Sequence, residues 1–406
     1  MTNTLSIDWV VSEVLRNNPS LKAARSNWEA FRSRIPQARA WEDPRVGVDV
    51  ERSGTTRFDT FTDAEWMVGQ QVPLSGRNRW RDRAATAEAG VAQTEMRRRE
   101  LELLAGARAA YYRLANAHAQ LELNQKNEAL LRRFVEASRI KYESGTRSQT
   151  DVLMAETEAA KTLEARRDIE RRLIEEQSHL NVLMNRPPQA PLGRPANVAV
   201  RHFDLPLEPM QAMALEHRPE ILGAQKKIEA AKARRTLAKR AWIPDPELRV
   251  EARQFNGAGG GIQEYDTGVF FNLPWINRGK YKAAISEAEK MQESGEHELA
   301  ALQGETLGMV RSQIEKAETL HHHYTLFHDR LLPLAQQAVQ ASEIAYTNDR
   351  GTLLELMTAQ RTARDTESAL QDHLTDYLTA IAELEAMVGV PFSSSQAPES
   401  KSPEKP

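Results

Sequence analysis

Three consecutive histidines, His321-His322-His323, are the most obvious candidates for chemistry in this chain. Imidazole nitrogens are common ligands for zinc and copper. On a helix, however, consecutive side chains point about 100° apart, so three in a row cannot close on one ion. Cysteine is absent. That excludes disulfides, thiolate metal sites and a cysteine nucleophile. There is no phosphate loop, no nucleophile elbow, no HExxH and no convergent His/Asp set. The expectation is a protein that is not an enzyme and that holds no cofactor and no metal.

The elements must then carry the function. Of 406 residues, 40% are hydrophobic, 6% aromatic and 27% charged. That mix suits long helices better than a compact enzyme core. The net charge of -3 leaves no basic footprint for nucleic acid. No apolar run reaches the ~18 residues that a membrane helix needs. The opening MTNTLSIDWVV has no basic start followed by an apolar stretch, so no signal peptide is visible. Barrel strands are short and alternating, and they leave hydropathy almost silent.

Period-two alternation appears in four places. Val46, Val48 and Val50 alternate with Gly47, Asp49 and Glu51; Trp66, Val68, Gln70 and Val72 alternate with Met67, Gly69 and Gln71. These predict a β-hairpin over 45–72, with the polar SGTTRFDTFTD between its strands. Leu248, Val250 and Ala252 share one face of ELRVEARQF. Tyr265, Thr267, Val269, Phe271 and Leu273 share one face of the next strand. These predict a second hairpin over 247–273, joined by NGAGGGIQE.

Helical text surrounds both hairpins. Residues 5–16 predict a short helix, and Pro19 opens a second that ends at Asp43-Pro44, with a kink expected at Pro36. From Asn78 to Tyr142 there is no proline. Roughly 65 helical residues extend about 100 Å, which no compact domain needs. Glu143 to Asp151 breaks the run, and Val152 to Met184 is helical again, so 78–186 predicts an antiparallel helical hairpin. The second half repeats this with a helical hairpin over 280–389, its tip at Asn348-Asp349-Arg350-Gly351, and a bend expected at Pro333. A seam of Leu307, Val310, Ile314, Ala317, Leu320, Tyr324, Phe327 and Leu331 steps by three or four. Leu104, Ala107, Tyr111, Leu114, Ala117 and Leu121 do the same in the first half.

The halves match in detail. Pro219 answers Pro19, and Ala241-Trp242 answers Ala40-Trp41. Leu273-Pro274-Trp275 answers Val72-Pro73-Leu74, Arg278 answers Arg77, and Tyr281 answers Trp80. The expected organisation is a first structural repeat over 1–186, a proline-rich connector over 187–206, a second repeat over 207–392 and a disordered tail over 393–406. Each strand has one apolar and one polar face, the signature of a membrane barrel. Four strands cannot close alone, so more than one chain is needed. The alternative is a soluble coiled-coil scaffold or adaptor.

With the repeat, the junctions Val72–Arg77 and Leu273–Arg278, the tips YESGTRSQTDVLMAE and YTNDRGTLLELMTAQ, and the endings LNVLMNRPP and LEAMVGVPF, the chain resembles the TolC-like outer-membrane efflux duct family. The likeness covers residues ~5 to ~392, with a lean towards the heavy-metal branch. It implies a mainly α protein with a small β part, whose long helical hairpins form an α-barrel continuing a transmembrane β-barrel. The barrel belongs to a homotrimer with four strands per subunit. It implies the outer membrane of a Gram-negative bacterium, a long periplasmic part, and passive export of small molecules or metal ions in a tripartite system. The implied partners are a periplasmic adaptor protein, an inner-membrane pump and outer-membrane lipid. Members are exported, so the expectation is a mature or trimmed form, or one that starts at a downstream Met.

The resemblance also implies site residues. Asp151 and Glu355 match carboxylates that constrict the tunnel, with Arg147 and Arg350 near enough to neutralise them. Gly145, Thr146, Ser148, Asp349, Gly351 and Thr352 match the adaptor-docking tips, where Gly145 and Gly351 are expected to allow the turn. The lipid-facing strand residues are Val46, Val48, Val50, Trp66, Val68, Leu248, Val250, Val269 and Phe271. Trp66, Tyr265 and Trp275 are expected at strand ends, in aromatic girdles.

Overall fold

A computed structural model describes residues 4–51, 63–196, 200, 202–255, 261–348 and 350–392. Most of the two strand-connecting loops, Asp349 and the tail over 393–406 lie outside the described residues. The elements are α1 (Ile7–Asn17), α2 (Pro19–Arg39), β1 (Arg45–Glu51), β2 (Asp63–Gln71), α3 (Arg77–Glu143) and α4 (Gln149–Leu183). They continue with α5 (Leu207–His217), α6 (Pro219–Arg240), β3 (Glu247–Phe255), β4 (Glu264–Phe270), α7 (Arg278–Leu326), α8 (Leu332–Thr347) and α9 (Leu353–Val388). Two helices, two strands and a helical hairpin follow one another in both halves; in the second half the first arm of the hairpin is divided between α7 and α8. Among the described residues no helix is long and apolar enough to cross a membrane.

Compactness groups the chain into two units, each drawing on both sequence halves. One comprises residues 1–23, 97–219 and 304–406; the other comprises 24–96 and 220–303.

The first unit holds the helical seams. Val310, Ile314 and Ala317 of α7 pack with Tyr377, Ile381, Leu384 and Val388 of α9 in one buried cluster. A fully buried Leu or Ile of this kind stabilises by about 1.5–3 kcal/mol. Polar ties add direction: Asn116 Nδ2 donates to Asp372 at 2.8 Å, and Arg108 pairs with Glu385. The second seam stops short of its expected end, because Leu331 is exposed. It stops at a π-helical turn, Phe327–Leu331, where the Leu332 N–H bonds back five residues to Phe327. Pro333 lacks the N–H that would bond Asp329, so the helix changes its bonding just upstream. The bend expected at Pro333 thus takes the form of a π turn. At Pro36, by contrast, α2 continues to Arg39.

The second unit holds one antiparallel sheet in the order β1-β2-β3-β4. Val46, Val48 and Val50 lie opposite Val68, Trp66 and Ala64. Val68 and Trp66 lie opposite Val250 and Ala252. Leu248, Val250 and Ala252 lie opposite Val269, Thr267 and Tyr265. Opposed residues share a face, so the alternating apolar set of all four strands stands on one side, while Met67, Phe255 and Phe270 fall on the other. β4 ends at Phe270, not at Leu273, and Pro274–Asn277 forms a 3-10 turn in between. Phe271 therefore lies just past the strand. An edge strand has a ladder on one side only, which leaves its end free to turn with Pro274.

Candidate functional site

Three places match the expected sites. Two belong to the first unit, the helix tips and the histidines. The third is the sheet with its junctions.

At the tips, Gly145 turns the chain with φ +71°, a conformation that costs an L-residue about 1–2 kcal/mol. Gly351 acts differently. Its φ is not positive, but an added Cβ would sit 3.0 Å from the Ala345 Cβ, so a side chain fits there only if its neighbours give way by a few tenths of an ångström. The tips are tied together. Lys141 Nζ donates to the Tyr346 carbonyl at 3.0 Å and lies over the Tyr346 ring. Arg147 Nη2 donates to the Gly351 carbonyl at 2.8 Å. Beneath them Leu131, Phe134, Ala155, Tyr346, Leu353, Leu356 and Met357 form a buried cluster.

Glu355 closes a capping box on α9. Its Oε2 accepts the Thr352 N–H at 2.8 Å, and Thr352 Oγ1 accepts the Glu355 N–H at 3.2 Å. The hydrogen bond from the Thr352 backbone, with help from the Thr352 side chain, holds the Glu355 carboxyl below its ordinary range. Asp151 sits in the first turn of α4, where its charge suits the helix dipole. Arg350 is exposed. Thr146 and Ser148 flank Arg147 in the first tip; Thr146 Oγ1 donates to the Lys141 carbonyl at 2.8 Å.

The histidines disperse. The His321 ring lies 4.5 Å from His202 and 5.1 Å from Tyr377, whereas His323 lies 5.2 Å from His373. Burial, then the neighbouring His202 and His322, push the His321 imidazole pKa down. Among the described residues no three His, Asp or Glu side chains are grouped to hold a metal ion.

The sheet has two different faces. Val46, Val48, Val50, Trp66, Val68, Leu248, Val250, Tyr265 and Val269 are all exposed, Val46 at 75%. Trp66 stands in the body of β2 rather than at its end. Tyr265 is one residue into β4, and Trp275 lies in the 3-10 turn. The opposite face is charged: Arg253 Nη2 donates to Glu65 at 2.9 Å, and Arg249 sits between Glu247 and Glu251. Among the described residues, the outer edges of β1 and β4 pair with nothing.

At the first junction sits a clamp that sequence reasoning missed. Ser75 is fully buried. Its N–H donates to Asp245 Oδ1 at 2.7 Å and its Oγ to Oδ2 at 2.8 Å. Arg77 stands 3.9 Å from the same carboxylate, and Arg240 Nη1 donates to the Ser75 carbonyl at 2.9 Å. Val72 N–H donates to the Pro246 carbonyl at 2.9 Å. The signal was present: an Asp-Pro pair precedes the strand in both halves, at Asp43-Pro44 and Asp245-Pro246.

A four-stranded sheet that is apolar on one side and charged on the other, with long helical hairpins leaving its strands, defines an outer-membrane channel fold. The solved structure of CusC, a protein that forms a transmembrane channel, matches with TM-score 0.83 over 95% of this chain and 92% of CusC, at 17% identity. Residues 10–186 and 211–390 match the outer membrane efflux protein family, and the chain belongs to it. Its place is the outer membrane. The toluene efflux pump outer membrane protein TtgF of Pseudomonas putida is 24% identical over 284 residues, 66% of this chain. The match spans 58% of TtgF's own length. The outer membrane efflux protein BepC of Brucella suis is 25% identical over 371 residues, 88% of this chain and 77% of BepC.

Proposed function

We propose that the chain is the outer-membrane channel of a tripartite efflux system, a passive export duct formed by a homotrimer. The observation that carries this reading is the sheet. It offers a continuous exposed apolar face, a charged face and two open edges. A lipid-facing outside, a wet inside and edges closed by further copies account for all three. Val46, Val48, Val50, Trp66, Val68, Leu248, Val250 and Val269 then face lipid, and Phe271 joins them where β4 is extended by pairing. The two sequence halves act as structural repeats, each supplying one β-hairpin and one helical hairpin.

The tips carry the constriction and the docking surface. Three copies of Asp151 and of Glu355 ring the axis and favour cations, with Arg147 and Arg350 as cationic neighbours. Gly145, Thr146, Ser148, Gly351 and Thr352, with Asp349, which lies outside the described residues, face a periplasmic adaptor that links to an inner-membrane pump. The pump supplies the energy. The cargo is small molecules or metal ions; the toluene of TtgF's name makes small apolar molecules the first class to assay.

The test is threefold. Cell fractionation should place the chain with the outer membrane, the purified chain should require detergent and run as a heat-resistant trimer, and it should open conducting pores in planar bilayers. A chain that stays soluble without detergent and shows almost no β signal would instead be a coiled-coil scaffold.

A further inference from the structure

We infer that Asp43 and Arg278 build a clamp between two copies of this chain, at a seam where β1 of one copy pairs with β4 of the next in a defined register. This rests on the oligomeric reading above and names the contact which that reading leaves open.

One chain already holds a worked example. Where β2 leaves for α3, it passes the point where β3 enters from α6. There Val72 bonds Pro246, while Ser75 and Arg77 meet Asp245. The sequence carries both halves of this contact a second time. Asp43-Pro44 enters β1 as Asp245-Pro246 enters β3. Leu273-Pro274-Trp275-Ile276-Asn277-Arg278 leaves β4 as Val72-Pro73-Leu74-Ser75-Gly76-Arg77 leaves β2. These second halves lie on opposite edges of the sheet, so one chain cannot join them. Asp43, Ile276 and Arg278 are exposed, whereas the Asp245 side chain is buried.

The internal register, Gln71 opposite Glu247, carries over through the repeat to Asn272 opposite Arg45 of the partner subunit. Phe271 then meets Val46 of the partner subunit, and Val269 meets Val48 of the partner subunit. An independent argument gives the same answer. Opposed residues share a face, and this register keeps the valines beside Phe271 and Val269; a slip of one residue would turn them to the charged side. Leu273 N–H then donates to the carbonyl of the partner subunit's Pro44. The carboxylate of the partner subunit's Asp43 faces Arg278; the Ile276 N–H already bonds the Leu273 carbonyl at 3.2 Å within the 3-10 turn. Ile276 stands in Ser75's place without a hydroxyl and with its N–H held in the turn, so this clamp lacks both bonds that Ser75 makes to Asp245 and rests on the Asp43–Arg278 ion pair.

The chain has no cysteine, so introduced pairs report the register without background. In the full chain in membranes, the double variant Val48→Cys/Val269→Cys should oxidise to an inter-subunit ladder on a non-reducing gel. The displaced pairs Val46→Cys/Val269→Cys and Val50→Cys/Val269→Cys should cross-link at least about tenfold less, because disulfides need Cα atoms within about 7 Å. Asp43→Asn and Arg278→Gln should each lower the temperature at which the oligomer falls to monomers, and their combination should fall short of the sum. An oligomer with a displaced pair dominant, or with strictly additive shifts, overturns the clamp alone. A chain that sediments as a monomer in detergent overturns the oligomeric reading and the clamp with it.

Discussion

Gly389 ends α9 with φ +89°, and a Cβ there would lie 2.6 Å from the His217 carbonyl oxygen and 2.9 Å from its carbon. Both obstacles are backbone, so nothing soft can move aside. Gly389→Ala should cost more than about 2 kcal/mol, the left-handed penalty plus the clash. Gly304→Ala is the control, since that helical glycine has nothing within 4 Å of its missing Cβ; it should gain about 0.5–1 kcal/mol. Thermal unfolding of the two variants side by side checks both signs. The capping box offers a second residue-scale prediction. Thr352→Ala should cost about 1 kcal/mol. Because the folded state holds the Glu355 carboxyl below its ordinary value, its contribution is whole above the unfolded value of about 4.3 and fades as pH falls through the lower folded value. Hydrogen-exchange protection of the first turn of α9 should fall in that window, and Glu355→Ala should abolish the dependence.

At the scale of elements, the junction clamp decides how β2 becomes α3. Asp245→Ala leaves the Ser75 N–H and hydroxyl buried without an acceptor, and should cost about 2–3 kcal/mol. Ser75→Ala removes only the hydroxyl bond and should cost about 1 kcal/mol. Equal costs for the two, measured by urea unfolding, would sink the clamp as the anchor of this junction. Much of this level was legible in the sequence. Alternation located β3 to the residue, because both of its sides are paired and its pattern is enforced throughout. It overran β4, because Phe271 and Leu273 continue the alternation while the backbone has lost its ladder. Pro333 announced a change in the helix, but local sequence does not say whether a missing N–H yields a kink or a π turn. Asp245 was unreadable as a partner of Ser75 because the two are 170 residues apart and only the β2–β3 pairing brings them together. The tips were legible as turns, yet the reasons differ: Gly145 by its dihedral and Gly351 by its contact with Ala345. Sequence spacing does not separate those causes.

For the whole molecule, the question is which solvent covers the apolar side of the sheet. Val250 stands at its middle, opposite Val68 and Thr267, and half its surface is exposed in one chain. Were that side wet, Val250→Lys would change stability by no more than about 0.5 kcal/mol. Facing the bilayer midplane, the same charge costs about 2–4 kcal/mol. Val46→Lys, at the sheet margin beside the junctions, should cost no more than about 1 kcal/mol on the depth scale. Glu251→Lys, on the opposite side, should leave membrane assembly nearly unchanged, since that face is already ionic. Unfolding in lipid vesicles should therefore rank the variants Val250→Lys, then Val46→Lys, then Glu251→Lys. A flat ranking would mean that the face meets water or another protein, because only a hydrocarbon layer makes the cost of one lysine depend on its depth.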